Sequence, residues 1–396
     1  MAEPLLYDLF RAYYDARRNK RNTLNAVNFE INYEENLMAL YAELSLGAYT
    51  PRPGICFISF KPVQREIFAA DFRDRVVHHL IYNYISPVFE KTFIHDSYSC
   101  RKGKGTHFGI NRINHFIRSC SENYTLDCYI LKLDIEGYFM SIDKVILFEM
   151  IRSQLERTTI TNSFDTNQLV QLIRTVIFHD PTKSYSLKGS RSDWNGLPAS
   201  KSLFHSSENK GLPIGNLTSQ LFSNIYLNQQ DHFVKGELGF RYYGRYVDDF
   251  IIIERDIHRL KRAIGYIDLF LRNTLNLNLH PNKRYLQHYS KGVQFLGVII
   301  KPHRNCITAR LKGNLYSRLK QWNDKTKENA TVPSDLLIKV RAILNSYLGL
   351  MHHSSTYKLR KKILLEDFKP VWGKYFLIPD GFRKIILRRH FRIHLP

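Results

Sequence analysis

The stretch RYVDDFIII at residues 245–253 sets two adjacent carboxylates, Asp248 and Asp249, between apolar runs that belong in a core. Neighbouring acids repel each other, and burial raises the cost of ionising either one. A fold that accepts this stretch must therefore bring positive charge to it. The longer run FRYYGRYVDDFIIIE (240–254) reads as two short β-rich segments with the acids at the bend between them. Taken alone, the pair also fits an ordinary hairpin turn, where Asp is common.

A third acid has a similar setting. In YILKLDIEGYFMSID (129–143), the apolar Ile130, Leu131, Leu133 and Ile135 bracket Asp134, as in a buried strand that ends in a carboxylate. Asp134 lies 114 and 115 residues before the pair, so only the fold can join them. Three carboxylates on adjacent strand ends can hold two divalent cations, hard ions that take oxygen ligands, and those cations would offset the clustered negative charge.

The surrounding pattern alternates helix and strand and predicts an α/β region. RVVHHLIYNYI (75–85) has helical spacing, with Asp71 and Asp74 expected as caps. SYSCRKGKGTH (97–107) reads as a basic loop leading into another helix. The polar stretch 180–210 is expected to be a long loop, and GLPIGNLTSQLFSNIYLNQQDHFV (211–234) a Gly/Pro turn opening a helix. A helix over about 256–275 and a strand VQFLGVII (293–300) follow. From about 305 the pattern turns helical and basic, as in TYKLRKKILL (356–365) and FRKIILRRHFRI (382–393). The expected division is 1–125, mostly helical; 126–300, with an insertion near 155–210; and 301–396.

Charge narrows the partners. Of 58 Lys and Arg against 36 Asp and Glu, residues 301–396 hold 21 against 6, a net +15. A basic segment on a folded body suggests a polyanion, nucleic acid before membrane, since no apolar run approaches the ~20 residues needed to span a bilayer. The cysteines (Cys56, Cys100, Cys120, Cys128 and Cys306) show no zinc-type spacing and read as reduced thiols. The N-terminal residues offer no signal-peptide core, and a cytoplasmic location is inferred.

Tyr-Val-Asp-Asp on a hairpin, preceded by LKLDIEGYF and GLPIG and followed by PNK and FLG, resembles the ordered motif set of reverse transcriptases. The resemblance covers roughly residues 50–300. It implies a right-hand polymerase with an α+β palm, fingers and a helical thumb, acting as an RNA-directed DNA polymerase on template RNA, primer and deoxynucleotide triphosphates. It further implies two Mg²⁺ ions, with Mn²⁺ as a substitute, on Asp134, Asp248, Asp249 and the Ile135 carbonyl. Lys61 and Arg65 in FKPVQREIF match positions that grip the triphosphate, and Phe139 matches an aromatic that excludes a 2′-hydroxyl. Gly215 and Gln220 belong to the same nucleotide-binding motif, and Lys283 matches a general acid for pyrophosphate. Arg101, Lys102 and Lys104 would touch the template backbone, and Phe295, Leu296 and Gly297 would position the primer end. Each of these residues also has a plainer reading, as a core aromatic, a solvated cation or a core strand.

GLPIGNLTSQ (211–220), LPASKSLF (197–204) and NSYLGLMHH (345–353) make the chain most like the reverse transcriptases of diversity-generating retroelements. Most relatives present Gln where this chain presents Ile214, and an alkyl group neither donates nor accepts a hydrogen bond. The resemblance thus implies low-fidelity synthesis with errors at template adenines, copying of a template-repeat RNA into a variable gene, and a small basic accessory protein. Two other readings stay open at this point. One is a reverse transcriptase of a retron, group II intron or phage-defence system; the other is an RNA-binding scaffold with a silent palm.

Overall fold

The computed structural model describes residues 4–18, 23–61, 63–158, 164–328, 332–368 and 370–391. Along the chain run helices α1 (Pro4–Arg17), α2 (Leu24–Ile31) and α3 (Tyr33–Ser45), strands β1 (Gly54–Ser59) and β2 (Arg65–Ala69), and helices α4 (Phe72–Glu90) and α5 (Thr106–Cys120). Strand β3 (Tyr129–Leu133), helices α6 (Tyr138–Ser141), α7 (Lys144–Glu156) and α8 (Thr166–Phe178), strand β4 (Tyr185–Leu187) and helix α9 (Leu217–His232) come next. The hairpin β5 (Tyr242–Tyr246) and β6 (Asp249–Glu254), helix α10 (Ile257–Leu275) and strands β7 (Tyr285–His288), β8 (Val293–Phe295), β9 (Val298–Lys301) and β10 (Arg304–Ile307) follow. Helices α11 (Ala309–Glu328), α12 (Ser334–His352) and α13 (Tyr357–Lys362) and the short strands β11 (Phe376–Leu377) and β12 (Ile386–Leu387) complete the chain.

This is the expected mixed α/β class. The chain forms two compact units, one of residues 1–105, 131–252 and 257–285, the other of 106–130, 253–256 and 286–396. That grouping differs from the three consecutive segments expected from sequence, because α5 belongs with the C-terminal unit.

In the first unit, α4 starts where Asp71 caps the amide of Arg73, and it buries Val76, Val77, Leu80, Ile81 and Tyr84 at helical spacing. Asp74 is not a second cap. It is buried, and it accepts from the Tyr49 hydroxyl at 3.0 Å and the Arg52 amide at 2.7 Å. Helices α1 and α9 both pack on α4.

A four-stranded sheet with order β5-β6-β3-β7 makes β3 and β6 neighbours, and this brings the end of LKLD beside the start of DFIII. The strand ends 129–130, 253–254 and 286–288 are counted with the second unit. A separate sheet has the order β2-β1-β4. The polar stretch 180–210 is therefore not all loop. Tyr185–Leu187 runs parallel to Gly54–Cys56, and three single 3-10 turns follow it. Part of the expected insertion, residues 159–163, lies outside the described residues.

In the second unit, the core gathers Leu315, Leu319, Trp322, Leu344, Leu348 and Trp372 from α11, α12 and the segment beyond them. The expected strand 293–300 is in fact a hairpin, β8 and β9, turning at Leu296 and Gly297, whose φ values are 49° and 86°. Two successive left-handed residues make the two-residue turn that a tight hairpin needs. The expected helix 382–393 is also corrected: Ile385 and Leu387 are buried at alternate positions, the period of a strand, and Ile386–Leu387 pairs with Phe376–Leu377. Residues 392 and 393 lie outside the described residues. Among the described residues, no helix is long and apolar enough to cross a membrane.

Candidate active site

Asp134 follows β3, while Asp248 and Asp249 sit at the β5–β6 turn, so the three acids of the first unit lie at neighbouring strand ends. The turn itself is strained. Val247 has φ 56°, a left-handed conformation that a β-branched residue rarely adopts. What holds it there is Arg245, two residues earlier. Its guanidinium is fully buried, donates to the Val247 carbonyl at 2.9 Å, and makes a two-pronged pair with Asp231 at 2.6 and 2.7 Å. Tyr243 donates to the same Asp231 carboxylate at 2.6 Å.

Lysines supply part of the positive charge that the sequence demanded. Lys283 Nζ lies 2.9 Å from Asp134 Oδ1, and Lys132 Nζ lies 3.2 Å from Asp249 Oδ1. Asp248 keeps an opening to solvent, yet the protein around it pushes its carboxyl up to about 7, with Asp134 and Asp249 adding to the shift. Burial raises Asp249 as well, and Lys132 opposes that shift. The donor set is all carboxylate oxygen with a residual negative charge, which suits a hard divalent cation. Among the described residues, no cluster of three or more His, Cys, Asp or Glu already converges as a cage. The bridge between Ile135 and Leu279 uses the Asp134 carbonyl and the Glu136 amide, so the Ile135 carbonyl is not engaged in it.

The residues expected to meet the nucleotide fall into two groups. Phe139 and Ile214 both pack against a small apolar cluster of Cys56, Phe68, Met140 and Leu203. Phe139 rides on α6, whose Tyr138 hydroxyl donates to the Ser223 carbonyl at 2.6 Å, and its own carbonyl accepts from Leu212 at 2.8 Å. Gly215 has φ 132°, and a side chain there would meet Ile67 and the Phe68 carbonyl at 3.0 Å, so the motif needs glycine. Gln220 is exposed one turn into α9. The second group, Lys61 and Arg65, lies exposed around the β1–β2 turn.

The residues expected at the template and primer differ in how much of each is accessible. Arg101 is enclosed: it pairs with Glu90 at 2.8 Å, donates to the Ile94 and Ser97 carbonyls at 2.7 and 3.0 Å, and lies over the Phe93 ring, so its guanidinium is spent within the fold. Lys104 donates to the His95 carbonyl, whereas Lys102 is exposed. In the second unit Phe295 is wholly buried, which leaves the turn residues Leu296 and Gly297 as the accessible part of that motif.

Sequence reasoning missed Arg245, Lys132 and Glu66. The available signal was a lone charge inside an apolar strand, as in YYGRY and YILKL. Glu66 is 1% exposed, and its carboxylate accepts from Trp194 Nε1 at 2.6 Å, Ser202 Oγ at 2.7 Å and the Leu203 amide at 2.6 Å. It therefore fixes the LPASKSLF segment on β2.

The family model described as reverse transcriptase (RNA-dependent DNA polymerase) matches residues 63–300. Protein YkfC of Escherichia coli (strain K12) is 22% identical over 308 residues, covering 69% of this chain and 73% of YkfC. Among solved structures, apo telomerase from Candida tropicalis truncated from its C-terminal domain has a TM-score of 0.45 at 15% identity, over 65% of this chain. The chain spans 55% of the length of that structure. Telomerase from Candida albicans with a fragment of telomeric RNA has a TM-score of 0.46 at 11% identity, covering 88% of this chain and 68% of that one.

Proposed function

The chain belongs to the reverse transcriptase family of RNA-dependent DNA polymerases, and on that premise we propose that it copies RNA into DNA with low fidelity, as the polymerase of a diversity-generating retroelement. The observation that carries the reading is the meeting of Asp134, Asp248 and Asp249 at one sheet end, with Lys283 paired to Asp134 at 2.9 Å. Asp134, Asp248, Asp249 and the Ile135 carbonyl would hold Mg²⁺, or Mn²⁺ in its place. Bound there, the ions would offset negative charge on the triphosphate and make the attacking hydroxyl more acidic.

The remaining roles belong to the chain's own side chains. Lys61 and Arg65 grip phosphate oxygens, Arg through its planar fork. Phe139 presents a ring where a 2′-hydroxyl would sit, and Lys283 hands a proton to departing pyrophosphate. Ile214 offers the nascent base pair an apolar surface without hydrogen-bonding groups, so geometric checking is loose. Template RNA, primer and deoxynucleotides are the partners, joined in this subtype by a small basic accessory protein.

Primed extension on an RNA template, followed by sequencing of the product, tests the reading. Asp248→Asn abolishes incorporation while RNA binding persists; unchanged biological activity in that variant would support a scaffold instead. Ile214→Gln lowers errors opposite template adenines, and an unchanged error spectrum sinks the fidelity argument. Near-identical repeats beside the gene, differing mainly at adenines, support diversification, and their absence favours a retron, intron or defence role.

A further inference from the structure

The second unit contains an open pocket of about 560 Å³ that none of the proposed polymerase residues line. It is formed by α5, the loop after α5, the turn between β9 and β10, and the end of α12, where the motif NSYLGLMHH stops. The Ser355 amide donates to the Asn305 carbonyl at 2.9 Å and joins two of these elements.

The lining has a consistent chemistry. It includes Arg118 and Arg304, both exposed, and no carboxylate. Arg118 is steadied by its Nε, which donates to Asn123 Oδ1 at 2.6 Å. Aromatic faces stand beside these cations: the Tyr124 ring lies 4.4 Å from that of His303, and His353 lies 3.7 Å from His107. Tyr124 and His303 are presented from left-handed backbone, with φ 71° and 61°. Asn305 Oδ1 and Ser354 Oγ, on lining residues, are buried without a hydrogen-bond partner among the described residues. A metal cation does not suit this lining, which carries two guanidinium groups and no carboxylate or thiol.

Guanidinium groups bind phosphate oxygens, and flat rings stack on unpaired bases. We propose that this pocket binds one nucleotide of single-stranded RNA, its base against the Tyr124, His303 and His353 rings and its phosphate on Arg118 and Arg304. The proposal rests on the reading of the chain as one that works on RNA. It gives the second unit a grip on unpaired RNA built from rings as well as charge.

The test uses the full chain and a short single-stranded RNA carrying 4-thiouridine. Photo-crosslinks mapped by mass spectrometry are expected on Tyr124, His303 or His353. Anisotropy titration is expected to show Arg304→Gln and His303→Ala each weakening binding by about fivefold or more, with His303→Phe restoring much of the affinity through stacking. Extension on a pre-annealed homopolymer template and primer should stay within about twofold of wild type in all three variants, because they leave the catalytic carboxylates untouched. Crosslinks elsewhere, or unchanged RNA affinity in both weakening variants, overturn the proposal. So does displacement of the RNA by inorganic phosphate at an equal phosphate concentration, which would reduce the pocket to a general anion site. Wild-type protein that crosslinks at these residues but never extends a primer would defeat the polymerase reading and leave this one standing.

Discussion

The Phe68 amide donates to the Ile214 carbonyl at 2.9 Å, which hangs the GLPIG turn directly on strand β2. The residue before Phe68 in the inward-facing register is Glu66, and it anchors a different segment, 194–203, to the same strand. Two motifs that looked separate in the sequence thus share one support. Glu66→Gln keeps the shape but turns one acceptor into a donor facing donors, which should cost about 1–3 kcal/mol. Urea unfolding measures that cost. Product sequencing should show a changed error spectrum, because Leu203 and Ile214 meet the same apolar cluster. An altered stability with an unchanged spectrum would confine Glu66 to a scaffold role.

Asp248→Asn should stabilise the metal-free protein while abolishing synthesis. Burial and two neighbouring acids raise the folded-state carboxyl from 3.8 to about 7. Between those values the folded state holds the proton more firmly than the unfolded state, so stability falls as pH rises through that window. Asn removes the penalty, and after discounting for its opening to solvent the gain near pH 8 should be ~1–2 kcal/mol. Melting in EDTA at pH 5 and pH 8 checks the sign. Adding Mg²⁺ should raise the melting temperature of wild type more than that of the variant, since a ligand that binds only the folded state stabilises it.

Arg245 separates stability from geometry. Arg245→Ala leaves Asp231 as a buried, unpaired charge and should cost about 3–5 kcal/mol. Replacing both partners, Arg245→Met with Asp231→Leu, should recover most of that stability, because the unpaired charge is gone. It cannot restore the hydrogen bond to the Val247 carbonyl, so the strained turn loses its clamp. Primed extension by the double variant should therefore stay well below wild type even where its unfolding curve matches.

How much of this was legible beforehand follows from the physics of each signal. Asp134, Asp248 and Asp249 stood out because acids inside apolar runs need a reason, and β3 and β6 prove to be sheet neighbours. Helices with a clear buried stripe, such as α4 and α10, were equally readable. The β8–β9 hairpin was hidden because its turn carries Leu296, an apolar residue that continues the strand pattern into a left-handed position. The partners of Arg101 were hidden for the opposite reason: a basic loop shows its charges in the sequence but not the local carbonyls that take them up. Glu66 and Arg245 gain their partners from residues 128–137 and 14 positions away, which no local pattern reveals.

Lys283 offers the last separation, between holding and catalysing. Its side chain is about half exposed and its pair with Asp134 spans 2.9 Å, so as an ion pair it is worth at most ~1 kcal/mol. A general acid acting on pyrophosphate contributes far more to the rate, on the order of 10²–10⁴-fold. Lys283→Met should therefore leave the unfolding curve nearly unchanged and lower kcat by about that factor, with KM for the deoxynucleotide little affected. Lys283→Arg keeps the charge near Asp134 but releases a proton far less readily, so it should restore pairing without restoring kcat. If Arg rescued kcat fully, the role would be electrostatic, and proton transfer would have to be assigned to solvent.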